Sequence, residues 1–284
     1  MKVCNIAVIM TVHNRKIKTI ECLNYLYKNN LYNIQLNCFI TDDGSTDGTY
    51  EAIRSNFPKT IVIKGDGNLF WNRGMLTSWI EAAKLDFDYY LWLNDDTVLF
   101  NDSLQKLINA SKSYNDNSII VGSTCDNEGS KNTTYGGRKF GRSYKLIIPD
   151  DEKCIPCDTF NGNIVLIPQK VFKSVGVNDS YFHHSFGDID YGLSASKKGF
   201  INYIAPGYYG ICKRNNPIPV FRRKCYSLIK RYKLLYSPLG FNPKEDFHLN
   251  QKYYPLYKCI WWFIKLHINV LFTVDHTKVN NHEL

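Results

Sequence analysis

Four short, largely apolar runs, each stopping at polar residues, limit what this chain can fold into. They are Ile6–Val12 before His13-Asn14-Arg15, Leu36–Thr41 before Asp42-Asp43-Gly44, Thr60–Lys64 before Gly65-Asp66-Gly67-Asn68, and Tyr89–Leu93 before Asn94-Asp95-Asp96. Short runs of this kind, bounded by turn residues, suit strands buried on both faces. The intervening stretches carry helical signals. Ile17, Ile20, Leu23 and Leu26 recur at helical spacing, Thr46 or Asp47 can cap a helix running toward Phe57, and Trp71 to Lys84 reads as a third helix. Strands alternating with helices predict an α/β fold, a mostly parallel central sheet with helices on both faces. Open sheets of this type bind ligands outside the carboxyl ends of their strands. The polar run ends therefore gather along the functional edge.

The fourth run carries the sharpest chemistry. Adjacent carboxylates at Asp95 and Asp96 repel each other unless a positive charge sits between them, and a divalent cation is one way to supply it. An acidic turn is the plainer reading of the same residues. Thirty-five Lys and Arg against 26 Asp and Glu give a formal charge of +9, which favours an anionic partner. The nine cysteines are scattered and odd in number, as expected of reduced thiols in a cytoplasmic protein. Cys154 and Cys157 have metal or redox spacing, but no second pair answers them. The apolar run near the N-terminus is short and ends in His-Asn-Arg, unlike a secretion signal.

Further along, a helix is expected from Ser103 to Ser113 and a short strand at Ile119–Val121. The Gly-rich, basic stretch Lys131–Lys145 reads as a hairpin or loop, and Phe160–Ile167 as a strand. Tyr181-Phe-His-His-Ser-Phe-Gly-Asp188-Ile-Asp190 leads into a helix reaching Lys198, where Asp188 would at the least favour the helix start. A last strand, Ile201–Ile204, is closed by Pro206-Gly207.

In order, these segments resemble an inverting family 2 glycosyltransferase of the GT-A nucleotide-sugar fold, over roughly residues 3–214. Met10-Thr-Val-His-Asn14 resembles the first-strand end that holds the nucleotide base, and Asp42-Asp43-Gly-Ser-Thr-Asp-Gly-Thr49 the second-strand signature. Leu93-Asn-Asp-Asp96 stands where the family has its metal-binding D-x-D. Asn161-Gly-Asn163, with Pro168 and Gly176, resembles the acceptor-side segment, and Phe186-Gly-Asp-Ile-Asp-Tyr-Gly-Leu193 the motif of the catalytic base. Gly67-Asn-Leu-Phe-Trp-Asn-Arg-Gly74 and Pro206-Gly-Tyr-Tyr-Gly210 are similar to the rhamnosyltransferase-like and galactofuranosyltransferase-like branch.

The resemblance implies transfer of a sugar, with inversion, from a UDP- or dTDP-sugar to a hydroxyl of a glycan or lipid-linked acceptor in bacterial-type surface polysaccharide synthesis. Mn²⁺ or Mg²⁺ would be held by Asp96 with Asp95. Asp188 is the implied general base, and Asp190 either orients the acceptor or bonds locally. Thr11, His13 and one of Asp42 and Asp43 would contact the base, and Asn14 and Arg15 are also in the substrate-binding set. Asp66, Asn68 and Asn163 join the substrate set. Trp71 is either a wall of the sugar pocket or core, and Arg73 either reaches the diphosphate or is solvated. The pattern departs from the family at Asn94, the first D-x-D position, and at Cys212, near where some relatives place a metal-binding His. The third protein ligand is left open.

Residues 1–214 are expected to form the catalytic domain, with a nucleotide-binding half to about residue 100 and an acceptor-binding half after it. Residues 215–284 differ in composition. Phe221–Lys224 and Lys230–Lys233 are basic, and Tyr253–Val274 is very apolar. Two central lysines, Lys258 and Lys265, cost ~5–7 kcal/mol on the insertion scale, against roughly 4–7 returned by a dozen apolar residues. The near-zero sum favours a helix lying in an anionic membrane interface, and hence a peripheral protein on the inner face of the cell membrane. Packing on the catalytic domain or in a homodimer is the other use of that helix. Nucleic acid is not expected as a partner. A nucleotidyltransferase on a similar fold would show a glycine-rich N-terminal loop, absent from Val12–Arg15. A non-catalytic binding protein is the remaining rival, supported by Asn94 and Cys212.

Overall fold

The computed structural model describes residues 3–29, 31–141, 143–214 and 219–273. The chain separates into two compact units. One comprises residues up to 180 together with 187–214, the other 181–186 with the residues from 215 onward.

The first unit opens with the predicted alternation: β1 (Cys4–Val12), α1 (Lys16–Lys28), β2 (Ile34–Asp42), α2 (Thr49–Asn56), β3 (Ile61–Lys64), α3 (Phe70–Ala82) and β4 (Tyr89–Leu93). It continues with β5 (Val98–Leu99), α4 (Ser103–Ser113), β6 (Ser118–Cys125), β7 (Thr133–Tyr135), β8 (Gly137–Lys139), β9 (Lys145–Leu146), β10 (Ile155–Cys157), β11 (Thr159–Phe160), β12 (Ile164–Pro168), α5 (Gln169–Val175), α6 (Gly187–Lys197) and β13 (Ile201–Ile211). The main sheet runs β10-β13-β6-β12-β4-β1-β2-β3, with β5 on β13 and β7 on β6; β11, β8 and β9 form a small second sheet.

Both faces of the central strands are dry, whereas the edge strand β3 is part-exposed. Along β1, Ile6, Val8, Met10 and Val12 enter one apolar cluster, while Ala7 and Ile9 enter the other, which also holds Met75, Trp79, Trp92 and Tyr191. Alternate residues point to opposite faces, so an unbroken apolar run is what a doubly covered strand needs.

Register decides what meets at the edge. Val12 pairs with Asp42 and Asp42 with Lys64, all parallel, while Ile9 pairs with Trp92. β12 is antiparallel to both β4 and β6, with Ile164 opposite Leu93. Its amino end therefore lies beside the carboxyl end of β4. Parallel β6 and β13, with Cys125 beside Ile211, bring Cys212 to the same edge.

Three local expectations are corrected. Phe160–Ile167 is not one strand, because Asn161-Gly-Asn163 separates β11 from β12; Asn and Gly favour the turn. β13 does not stop at Pro206-Gly207 but continues to Ile211 through shifts in register. Such irregularities accommodate a proline that cannot donate to the ladder. Ile17 is 83 % exposed, so the buried face of α1 rests on Leu23 and Leu26.

In the second unit, α7 (Leu228–Leu235), α8 (Pro243–Gln251) and α9 (Leu256–Asn269) follow one another. Pro255 bars the helix from starting at Tyr253, since a proline belongs at or before the first turn. Val274, the end of the expected apolar stretch, lies outside the described residues. Among those residues no helix is long and apolar enough to cross a membrane.

Candidate active site

The ends of β1 and β2 are tied together by side chains. Asn14 accepts from the backbone N–H of Thr46 at 2.7 Å, and its own N–H donates to Ser45 Oγ at 2.9 Å. His13 Nδ1 lies 2.6 Å from the Asp43 carbonyl, and its Nε2 lies 3.1 Å from Asn14 Nδ2. A carbonyl can only accept, so Nδ1 carries the proton and Nε2 accepts from the amide. Asp43 is buried and accepts the N–H groups of Gly67 (2.8 Å) and Phe70 (2.9 Å). That carboxylate orders the loop leading into α3. Asp42 is buried too; its Oδ1 accepts from Ser45 N–H at 2.8 Å, while Oδ2 has no hydrogen-bond partner among the described residues. Thr11 donates to the Thr41 carbonyl across the β1–β2 pair. Asp66 accepts from Asn68 N–H within an exposed turn.

At the end of β4, three consecutive residues have three different environments. Asn94 Oδ1 accepts from Trp71 Nε1 at 2.8 Å. Asp95 is 6 % exposed and uses both oxygens inward, one toward Arg15 at 3.2 Å and one toward the Thr19 hydroxyl at 3.3 Å. Burial pushes its carboxyl up to about 6, against the opposing pull of Arg15, while the charge on Asp96 adds to the rise. Asp96 lies nearer the surface. Its Oδ2 meets Arg15 Nη1 at 2.8 Å and its Oδ1 accepts from the Cys212 thiol at 3.5 Å. One guanidinium nitrogen thus bridges the adjacent acids. Burial, with the charge of Asp96, pushes the Cys212 thiol up to about 12, so it stays protonated as an S–H donor.

The turn between β11 and β12 joins this station to Asp188. Gly162 N–H donates to Asp188 Oδ2 at 3.0 Å, and Asp188 Oδ1 accepts from Ile189 N–H at 2.8 Å. The next residue, Asn163, places its amide 3.4 Å from Cys212 Sγ, and its carbonyl accepts from Asn94 N–H at 3.0 Å. Asn161 Oδ1 accepts from Arg138 Nε at 2.8 Å. Three consecutive residues therefore reach Arg138, Asp188 and the neighbour of Asp96. Gly162 has no room for a side chain, because a Cβ would lie 2.5 Å from the Trp71 ring. Burial raises the Asp188 carboxyl above its ordinary value; the Gly162 and Ile189 amides and the Arg138 charge offset part of this.

Oxygen donors and a gap already built around one positive charge fit a hard divalent ion at Asp96. Asp95 fits less well, because it is the more buried of the two acids and its oxygens face inward, toward Arg15 and Thr19. A neutral thiol at Cys212 is a poor ligand for such an ion. Among the described residues no group of three or more His, Cys, Asp and Glu converges as a ready-made cage, so other ligands must come from diphosphate oxygens and water.

The sequence model of glycosyl transferase family 2 matches residues 7–176. The chain belongs to that family. Its fold is similar to that of a mannosyltransferase, PcManGT from Pyrobaculum calidifontis, solved in complex with GDP-Man and Mn²⁺. The likeness has a TM-score of 0.52 at 13% identity and covers 98% of this chain and 76% of that one. No curated protein matches the chain. The GT-A fold expected from the sequence is the fold of this family 2 member, with the helices and the largely parallel sheet described above.

Within this fold, the ends of β1 and β2 carry one bonded group, His13, Asn14, Asp42 and Asp43 with their loop, and the ends of β1 and β4 with the Asn161–Asn163 turn carry another, Arg15, Asp95, Asp96, Asn163 and Asp188. Asp190 is buried in the first turn of α6, only 4 % exposed. Arg73 Nε points to the Ser180 carbonyl at 3.2 Å. Trp71 stands edge-on to Trp92, 5.8 Å between centroids, so it serves the core as well as the Asn94 contact. The sequence singles out neither Thr19 nor Arg138, and it marks Asn161 only as part of the acceptor-side segment. Thr19 sits in α1 and Arg138 in β8, within a stretch that the sequence marks only as basic and Gly-rich, and neither position carried a motif.

Proposed function

We propose that this family 2 member transfers a sugar from a UDP- or dTDP-sugar to a hydroxyl of a glycan or lipid-linked acceptor, with inversion. Asp188 is the general base. In its carboxylate form it takes the acceptor proton as that oxygen bonds to the anomeric carbon. The bond from that carbon to the diphosphate breaks, its electron pair leaving with the phosphate oxygen. A divalent ion on Asp96 would neutralise charge on the departing diphosphate. Arg15, already poised between Asp95 and Asp96, supplies positive charge to the same place. Asp42 or Asp43, His13 and Asn14 face the base, where a carboxylate accepts the N3–H shared by uracil and thymine. Similarity to the rhamnosyltransferase-like and galactofuranosyltransferase-like branch, and a role in bacterial-type surface polysaccharide synthesis at the inner face of the membrane, complete the reading. Residues 1–214 are proposed as the catalytic domain.

The observation that supports this reading best is the Asn161–Asn163 turn. It holds the base candidate through one residue and the metal-station neighbour Cys212 through the next. Asp188→Asn tests it, since it keeps the shape and removes the proton acceptor. Transfer should fall by about 10²–10⁴, while stabilisation of the protein by donor nucleotide with Mn²⁺ persists. Unchanged transfer by that variant removes Asp188 from its role, and stabilisation by GDP compounds alone removes the base assignment.

A further inference from the structure

The exposed apolar face of α9 is a surface feature that the reaction leaves unused. Leu256, Ile260, Trp261, Ile264 and Ile268, with Leu271 in the turn just past the helix end, are each 45–61 % exposed. At 100° per residue they fall within an arc of about 140°. The opposite side of the helix is already committed. Leu266 and Val270 pack with Phe221 and Leu235, and Cys259 is buried as well. Arg231 of α7 donates to the Val270 carbonyl at 2.8 Å, and Tyr232 donates to the His267 carbonyl at 3.1 Å. α9 is therefore fixed by one face and bare on the other. A small groove of about 230 Å³, lined by Tyr232, Phe263 and Leu271 among others, opens beside the bare face.

Charge selects the occupant. Residues 219–273 contain ten Lys and Arg against two Asp and Glu, a net of +8. Neither acid offsets this at the surface. Glu245 is 2 % exposed and lies 2.6 Å from His183 Nδ1, and Asp246 is half-buried. A second copy would set one cationic unit against another. Length excludes a span: 14 residues make about 21 Å of helix, short of the roughly 30 Å hydrocarbon core. Lys258 and Lys265 fall just beyond the Trp261 border of the arc, where their ammonium groups can reach headgroups while their stems lie along the apolar surface.

We infer that α9 lies in the plane of an anionic lipid surface, its Leu256–Leu271 arc in the acyl boundary and the surrounding lysines and arginines on the headgroups. This lipid docking is independent of the donor and acceptor chemistry proposed above. It is tested on the full chain, without substrate, by flotation with vesicles of phosphatidylcholine alone and of phosphatidylcholine mixed equally with phosphatidylglycerol. The mixed vesicles should bind at least about tenfold more tightly, high salt should weaken that binding, and tryptophan emission should shift to the blue. Ile264→Glu with Ile268→Glu should lose at least tenfold in affinity at unchanged thermal midpoint, while Lys258→Ala with Lys265→Ala should lose mainly the preference for the anionic lipid. Equal affinity for both vesicles, or none for either, overturns the inference. So does a dimer that the Ile264→Glu, Ile268→Glu variant dissociates, or tighter binding to RNA than to the mixed vesicles.

Discussion

The edge of the main sheet and the bare face of α9 solve opposite problems. At the sheet edge, acids and amides that would prefer water are drawn into partial burial, and each is held by a named donor: Asp43 by Gly67 and Phe70, Asp95 by Arg15 and Thr19, Asp188 by Gly162 and Ile189. On α9, apolar side chains that would prefer burial are left in solvent on a helix already fixed from behind. Each arrangement costs free energy in the isolated chain, and each makes sense with a ligand of matching chemistry. Buried acids with aligned donors suit a small, charged, precisely oriented substrate; a wide apolar arc bordered by cations suits a surface with no fixed geometry.

The contrast breaks most readily at its polar end. Asp96→Asn should lower transfer about 10²–10³-fold, the scale of removing one preorganised electrostatic contact. It should also abolish the extra donor-dependent thermal stabilisation given by Mn²⁺. Asp95→Asn should keep most of that stabilisation, because the replaced oxygens face Arg15 and Thr19. If the two variants behave alike, the adjacent acids act as one ligand pair and the division drawn between them fails. Gly162→Ala comes next. Its methyl must displace the Trp71 ring, an overpacking cost of about 1–3 kcal/mol, and the Asp188 contact moves with it. Transfer should drop at least tenfold with a melting point lower by several degrees, whereas Ile264→Glu on α9 should leave both unchanged.

Much of the sheet edge was legible in the sequence because local signals and global fold agree there. An apolar run buried on both faces has no periodicity to misread, and the residues that stop it are the ones the register gathers. The parallel register of β1, β2 and β4 follows from the alternation with helices. The antiparallel insertion of β12 does not, since Phe160–Ile167 reads as one apolar strand until the turn at Asn161–Asn163 is seen. That turn is the joint of the site, so the local misreading hid the link between Asp188 and Asp96. Arg138 and Thr19 could not be read at all; they reach Asp188 and Asp95 across 50 and 76 residues of chain, and only packing creates such proximity. For α9 the sequence marked the apolar face but not which way it turns. The structure shows that the six residues of that face are the exposed ones, and that Cys259, Leu266 and Val270 take the inside.

pH sharpens the polar side further. The Asp188 carboxyl is raised by burial, so the proton-accepting form disappears at a higher pH than for an exposed aspartate near 3.9. The acid limb of kcat/KM should accordingly lie above that value, with rate rising as pH climbs through it. Asp188→Glu, which lengthens the arm, should lower the plateau more than it moves the limb. An acid limb at the ordinary carboxylate value would mean that Asp188 is solvated in the working enzyme.

The smallest effect tests the other side of the comparison. Asp246, on α8, is pushed up to about 6 by burial, with Asn250 opposing the shift. A carboxyl whose folded value exceeds its unfolded value of about 3.9 binds more protons folded than unfolded between those two values. Its contribution is therefore neutral below about pH 4 and becomes increasingly unfavourable as pH rises through about 6. At 1.36 kcal/mol per unit, the ionised form costs the second unit at most about 3 kcal/mol, and partial solvation reduces this toward 1. Asp246→Asn should slow amide hydrogen exchange in α8 at pH 8 and leave it unchanged at pH 4. Vesicle binding should stay the same, because this acid contributes little to the surface that meets lipid. Faster exchange at pH 8 would show that the carboxylate is satisfied where it lies, and that the cationic surface of this unit is balanced from within.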